Sequence, residues 1–372
     1  MILNGLQNGG VERVVYNIAT GLNADLFTVY IYILDDTNDF YSKQLIKHGV
    51  SIINEYAHIR KERHANQYWL LYSQINKFLK NHLQVVAVHV HETNAAPGAL
   101  MAAKVNKIPV ICMHSHSSYS DYWNPRLFSL KSQIAIPIMN WFNRHIPNYK
   151  IGCSYSACKR LFGESKNQYF IPNGIDMEKF NPENWNKKDE LRKKYELQDK
   201  KTYFIFVGRF SIQKNPLFLL NVFSYLLEKN KEYELLIVGH GEMKEEIYKK
   251  VKELQIDSNV KFFPGDSNVP ELLKASDYFI GPSIYEGLGI VFVEAQLMGL
   301  TTFASDQVPR EADLGLCEFV PLTLGARGYA KYIEDYIDSK QEERRKLDRA
   351  KVKLYDMKEV IRKYERIYLN EY

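Results

Sequence analysis

Cysteine is scarce, with four in 372 residues. Cys112, Cys153, Cys158 and Cys317 show no paired metal-type spacing; Cys153 and Cys158 stand as C-x4-C with no second pair after them. That excludes a disulfide framework and a CxxC…CxxC zinc module, and suits reduced cytosolic thiols used in packing. Long apolar runs are also missing. A membrane span needs about 20 apolar residues, and the longest comparable stretch, Ile134–Phe142, is far shorter and is broken by Pro137 and Asn140. The opening residues MILNGLQNGG lack the basic start and apolar stretch of a secretory leader. G-x-G-x-x-G is absent, which disfavours a dehydrogenase. Acids are nearly missing from one region: Met101–Arg160 holds eight Lys or Arg and one acid, Asp121, a local charge of +7 in a chain of net charge +5. Such a region is either a solvated surface or a surface for an anionic partner.

What is present is ordinary globular material, 45% apolar and 25% charged, long enough for two cores. In the second half, short apolar runs at Tyr203–Val207, Glu234–Val238, Val260–Phe263, Tyr278–Gly281 and Thr301–Ala304 alternate with helical stretches. Those stretches are Pro216–Lys229, Glu242–Leu254, Val269–Ala275 and Ile290–Met298. This rhythm predicts a doubly wound parallel sheet. The first half repeats it less cleanly, with strands expected at Thr28–Leu34, Val85–His89, Pro109–Met113, Lys150–Cys153 and Tyr169–Ile171. We expect domains at residues 1–183 and 184–355, joined near the lysine-rich stretch Asn181–Lys201, with a terminal helix at 356–372.

Three places could carry chemistry. In VGRFSIQKNP, Arg209 and Lys214 follow a strand ending at Gly208, and Asn215-Pro216 opens a helix. Two cations beside a helix start suit a diphosphate, and the carboxyl ends of strands are where open α/β sheets bind ligands. In PSIYEGLGIVFVEAQLMG, Glu286 lies in a loop with Gly287, Leu288 and Gly289, and Glu294 follows on a largely apolar helix beginning near Ile290. Carboxylates accept paired hydrogen bonds from sugar hydroxyls, and glycines let the backbone approach a ligand. In ICMHSHSSYSD, His114 and His116 end a strand, and His89 and His91 repeat the pattern one strand earlier. No Cys, Asp or Glu nearby completes a metal set around them, so no metal is expected. Asp35-Asp36 follows another strand, away from the diphosphate site. The Gly9-Gly10 turn before the first helix is a weaker signal.

Taken in order, Gly9-Gly10, the HSHS strand end, IPNGID (Ile171–Asp176), GRFSIQKNP and the E-x7-E of Glu286 and Glu294 resemble the family 4 retaining glycosyltransferases, over nearly the whole chain. The nearest look is to transferases of capsule, exopolysaccharide and lipopolysaccharide synthesis. The resemblance implies the GT-B architecture, two Rossmann-like α/β domains facing a central cleft, with the terminal helix crossing back to the first. It implies that Arg209 and Lys214 hold the donor diphosphate beside Gly208, and that Glu294 binds the ribose. Glu286 and the backbone of Gly287–Ile290 meet the donor hexose. Asp266 and Val269 lie in PGDSNVPELL, the part that meets the nucleobase edge. Gly9 and Gly10 approach the phosphate, and His114 or His116 faces the reacting sugar. It implies no cofactor and no metal: the donor is a nucleotide sugar, UDP- or GDP-linked, and the acceptor a saccharide or polyprenyl-linked saccharide. No nucleic acid partner is expected. The stretch Tyr119–Pro147 sets Trp123, Phe128, Ile134, Ile136, Ile138, Trp141 and Phe142 among Arg126, Lys131 and Arg144, which suits a cytoplasmic protein lying peripherally on an anionic membrane surface; packing on the first domain explains the same aromatics. An epimerase, or a scaffold protein on the same fold, is the rival reading. The first would more naturally lack E-x7-E, and the second would have lost Arg209, Lys214 or Glu294.

Overall fold

The computed structural model describes residues 1–6, 9–35, 41–54, 67–91, 96–117, 130–339 and 345–372. The chain forms two compact units, Met1–Gly174 with Leu354–Tyr372, and Ile175–Lys353.

The first unit is built on seven parallel strands: β1 (Ile2–Leu3), β2 (Tyr30–Ile33), β3 (Ser51–Ile53), β4 (Ala87–His91), β5 (Val110–Ser115), β6 (Tyr149–Gly152) and β7 (Gln168–Phe170). Their order is β3-β2-β1-β4-β5-β6-β7. Helices α1 (Gly10–Gly21), α2 (Ser42–Lys47), α3 (Gln67–Asn81), α4 (Ala96–Val105), α5 (Leu130–His145) and α6 (Tyr155–Phe162) connect them. Successive strand residues point to opposite faces, so the sheet has two cores. Val88, Val90, Ile111 and Met113 pack with Leu71, Ile75 and Leu79 of α3 and with α4. Val110, Cys112 and Ile151 face the other way, in a core shared with Val14 and Ile18 of α1.

The second unit has six parallel strands: β8 (Thr202–Val207), β9 (Tyr233–Val238), β10 (Val260–Phe263), β11 (Tyr278–Gly281), β12 (Thr301–Ser305) and β13 (Cys317–Val320), in the order β10-β9-β8-β11-β12-β13. Its helices are α7 (Lys188–Lys194), α8 (Pro216–Lys229), α9 (Lys244–Glu253), α10 (Val269–Ala275), α11 (Ile290–Leu297), α12 (Gly325–Asp338) and α13 (Arg349–Leu354). Phe204, Phe206, Leu235 and Ile237 pack with Leu219, Leu220 and Phe223 of α8 and with Tyr329, Ile333 and Tyr336 of α12. The last helix, α14 (Met357–Tyr368), returns to the first unit. It contributes Val360, Ile361, Tyr364, Ile367 and Tyr368 to the core around Val110 and Cys112.

Two expectations need correction. The two units divide at Gly174/Ile175, a few residues ahead of the expected join, and the lysine-rich stretch is not a linker. It carries α7, whose Lys188 and Arg192 sit 2.5 Å and 2.7 Å from the Asp277 carboxylate, while Lys194 lies 2.5 Å from Glu271. Its charges are partners of the second unit's own acids. Asn215 stands at the start of α8, but its side chain makes no capping hydrogen bond; it takes the left-handed conformation, φ 56°, that lets the preceding turn close.

Candidate functional site

The strand order of the second unit reverses between β8 and β11, and an open α/β sheet binds ligands in the crevice outside such a switch point. The loops leaving those two strands, 208–215 and 282–289, carry the residues singled out in the sequence. Lys214 sits in a 3-10 turn, Ile212–Lys214, and its Nζ lies 2.5 Å from Glu286 Oε1. Their side chains are 18% and 5% exposed. Ser283 Oγ donates to the same carboxylate oxygen at 2.7 Å. Gln213 Nε2 donates to the Tyr285 carbonyl at 3.1 Å and reaches Glu286 Oε2 at 3.5 Å, and the Ile284 amide donates to the Gln213 carbonyl at 2.8 Å. The two loops are thus stitched together around one half-buried cation. Gln213 and Ser283 escaped the sequence reading; their only signal is adjacency, one residue before Lys214 and three before Glu286.

Arg209 is different. It is largely exposed, with Nε 3.2 Å from Glu242 Oε2 across another exposed side chain. Gly208 lies against the Lys214 stem, where a Cβ would sit 3.5 Å from Cγ and Cδ. Gly289 precedes α11 at φ 76°, and a Cβ there would come within 2.6 Å of the Phe292 ring, so only glycine fits. The N-cap of α11 is Gly289, which has no side chain to cap it, and the helix starts directly after the loop that carries Glu286. A helix start of this kind favours anions. Leu288 is buried, so its backbone is what it can offer, while Gly287 and Ile290 are half-buried. Glu294 is 4% exposed on α11, between buried Val293 and Ala295. Asp266 and Val269 stand apart, at the β10–α10 connection two strands from β8, with Asp266 exposed.

In the first unit the switch point falls between β1 and β4. Gly9 caps α1 in an extended conformation and its carbonyl accepts the Arg13 amide at 3.0 Å. A Cβ on Gly10 would meet nothing within 4 Å, so the position is open. Asn8 lies outside the described residues, as does Asp36.

His114 is fully buried on β5 and His116, just beyond the strand, is half-buried. No Cys, Asp or Glu among the described residues joins them, but strand register brings two further histidines alongside. His91 pairs with His114 across β4 and β5, and His89 shares its face. One ring nitrogen each from His89, His91 and His114 lie within 4.8 Å of one another. His91 Nδ1 is 2.9 Å from His116 Nε2, and His89 Nδ1 is 2.6 Å from the Tyr368 hydroxyl on α14. Burial drives the His89, His91 and His114 rings well below the usual imidazole range, with neighbouring charges adding to it; burial, then the Arg160 charge, pushes His116 down to about 3. All four rings are therefore neutral near pH 7.

Of the aromatic and basic stretch, residues 118–129 lie outside the described residues, Trp123, Arg126 and Phe128 included, and so do the side chains of Lys131 and Ile134. Ile138 and Trp141 on α5 are each 52% exposed, and Arg144 Nε donates to the Leu161 carbonyl at 3.4 Å. Among the described residues no helix is long and apolar enough to cross a membrane. All four cysteines are buried thiols.

Comparison with known proteins meets this geometry from another side. Residues 8–179 match the family described as Glycosyltransferase Family 4, and residues 187–352 match Glycosyl transferases group 1. The chain is similar to EpsF of Bacillus subtilis, named as a glycosyltransferase, at 27% identity over 85% of this chain and 80% of that one. It is similar to the amylovoran biosynthesis glycosyltransferase AmsD of Erwinia amylovora at 22% identity, over 82% and 80%. A shorter match, 34% identical over 40% of this chain and 39% of the other, is to the Escherichia coli UDP-Gal:alpha-D-GlcNAc-diphosphoundecaprenol alpha-1,3-galactosyltransferase. Among solved structures, Anabaena HepE in complex with UDP and glucose superposes with a TM-score of 0.76 at 16% identity, covering 99% of this chain and 98% of that one. A Rickettsia africae glycosyltransferase gives 0.77 at 18%, covering 100% and 97%. The structural likeness establishes the fold, the family matches fall on both units, and the chain belongs to the family 4 glycosyltransferases of GT-B architecture, related to enzymes of polysaccharide biosynthesis.

Proposed function

We propose that the protein is a retaining hexosyltransferase that uses a nucleotide diphosphate sugar, UDP-linked rather than GDP-linked, and an acceptor saccharide carried on a polyprenyl diphosphate or free. The observation that carries this reading is the Lys214–Glu286 pair, set by two separate loops at the switch point beside the glycine-led start of α11. Diphosphate bound there gains from Lys214, from the helix amides and from Arg209, whose exposed guanidinium can swing from Glu242. These groups matter most as the diphosphate departs and its charge grows. Glu286, relieved of its lysine, is left to accept sugar hydroxyls, and Glu294 the ribose. His116 is the better sugar-facing histidine, because His114 is closed off completely. The departing phosphate assists deprotonation of the acceptor, so neither a protein nucleophile nor a metal is required at this end. The UDP preference and the lipid-linked acceptor are supported by what the Escherichia coli and Anabaena relatives are named or solved with.

A thermal-shift panel of UDP-, GDP-, ADP- and dTDP-sugars tests this. A ligand that binds only the folded state stabilises by about 2.7 kcal/mol at a hundredfold excess over Kd. A UDP-sugar should raise the midpoint most. No shift with any of the four would overturn the donor assignment.

A further inference from the structure

The face of β4 and β5 beneath α14 should be as apolar as its opposite, where Val88, Val90, Ile111 and Met113 pack. Instead it bears His89, His91 and His114, each at most 2% exposed. His89 Nε2, His91 Nε2 and both nitrogens of His114 are buried with no hydrogen-bond partner among the described residues. Buried polar atoms are nearly always satisfied, and several orphans in one place need a reason. The outward-facing nitrogens do have partners. Where Nδ1–H of His89 donates to Tyr368 Oη and Nδ1–H of His91 donates to His116 Nε2, the Nε2 lone pairs of both rings are left without a donor among the described residues. That is the arrangement of metal-ligating imidazoles, whose second nitrogen is oriented by a neighbour.

We propose that His89, His91 and His114 form a binding site for one divalent cation of zinc-like, borderline character. Three imidazoles suit zinc, cobalt, nickel or copper and do not suit magnesium or manganese, which prefer oxygen. Two residues apart on one strand, with the third opposite in register on the next, the ligands converge from one sheet face. The rings now stack, with centroids 4.2 Å apart for His89 and His91 and 5.3 Å for the other two pairs. Their nitrogens, at most 4.8 Å apart, need to close to about 3.3 Å for N–metal bonds of about 2.0–2.1 Å, so metal binding requires the rings to rotate out of their stack. Three protein ligands leave a fourth position for water or an anion. These ligands belong to the first unit and the donor loops to the second, so the proposal does not rest on the donor assignment.

The test uses the full chain without a polyhistidine tag, loaded with zinc or cobalt and freed of excess by gel filtration. About one equivalent should remain by elemental analysis, cobalt should give the intense visible absorption of a four-coordinate site, and magnesium in excess should not displace it. H114Q should abolish retention, whereas H48Q/H145Q, which changes exposed histidines, should not. Y368F keeps the packed ring and removes the orienting hydroxyl, so zinc should bind about 10–100-fold more weakly. If H114Q fails to fold, X-ray absorption on the zinc-loaded native protein decides: a shell of imidazole nitrogens supports the site, and an all-oxygen shell overturns it. No retained metal, or equal retention by H114Q, would mean that the cluster is a stack of neutral rings and nothing more.

Discussion

Arg209 and Lys214 are two different cations, although they share a loop. Lys214 is held by a carboxylate that is itself buried, while Arg209 meets its partner in solvent. R209A should therefore cut turnover by about 10²–10³-fold, the 2.7–4 kcal/mol that one preorganised donor typically contributes, and leave the thermal midpoint nearly unchanged, since an exposed pair contributes about 0–1 kcal/mol. K214A should lose as much turnover and also lower the midpoint. It strands the Glu286 charge, a change that costs about 3–5 kcal/mol for a fully buried pair, softened here by Ser283 and Gln213. K214M/E286Q should recover stability and not activity. Steady-state kinetics alongside thermal melts separate these outcomes, and full turnover in both single variants would remove the donor site from these loops.

Elements of the second unit are tied by charge where apolar packing runs short. Glu271 on α10 accepts hydrogen bonds from Lys194 in the last turn of α7 and from Tyr195 just beyond it, both at 2.5 Å. Burial pushes this carboxyl up, but the two hydrogen bonds, with the lysine's charge, outweigh it and hold it below 4.5. A carboxyl that is more acidic folded than unfolded adds stability above its unfolded value and loses it as pH falls through the folded one. The native protein should thus lose stability more steeply than E271Q between about pH 5 and 3, as read by denaturant unfolding across that range; parallel curves would show that the tie contributes nothing. The same logic marks what was legible in the sequence. Strands β8 to β11 read clearly because each is dominated by apolar residues between turn or helical segments, even where Glu234 stands near the start of β9 and Lys261 in β10. β13 did not, because Glu318 interrupts it, taken up by Arg345 and Tyr332. α12 hid behind Gly325 and Gly328, and β3 is three residues long. Lys214 and Glu286 were visible as motif residues, but their pairing was not, since it depends on which strands adjoin. The four histidines were likewise visible as strand-end residues, but their convergence was not: 23 positions separate His91 from His114, and only the parallel register sets them side by side.

Over the whole molecule, the excess positive charge belongs to Met101–Arg160, and the remainder is slightly acidic. Exposed Ile138 and Trp141 on α5 lie in that stretch, and Trp69 on α3 is 71% exposed. Each cation near an anionic leaflet contributes about 1 kcal/mol, weakened by salt. We expect co-sedimentation with anionic vesicles at low salt, little with neutral ones, and a marked loss in R126Q/K131Q/R144Q. Failure to bind anionic vesicles at low salt would leave packing as the sole role of these aromatics.

The return of α14 also has a consequence for the order in which the protein is made. The core around Val110, Cys112 and Ile151 is closed by side chains that leave the ribosome only after all of Ile175–Lys353 has been synthesised. At the usual 5–20 residues per second that interval is roughly 10–40 s. By its end the second unit holds every strand of its own sheet and can fold as a unit, while throughout it the first exposes the apolar face that Tyr364 and Ile367 will cover. The domain that begins the chain is thus the last to be finished, and a nascent chain stalled short of α14 presents a natural target for chaperones.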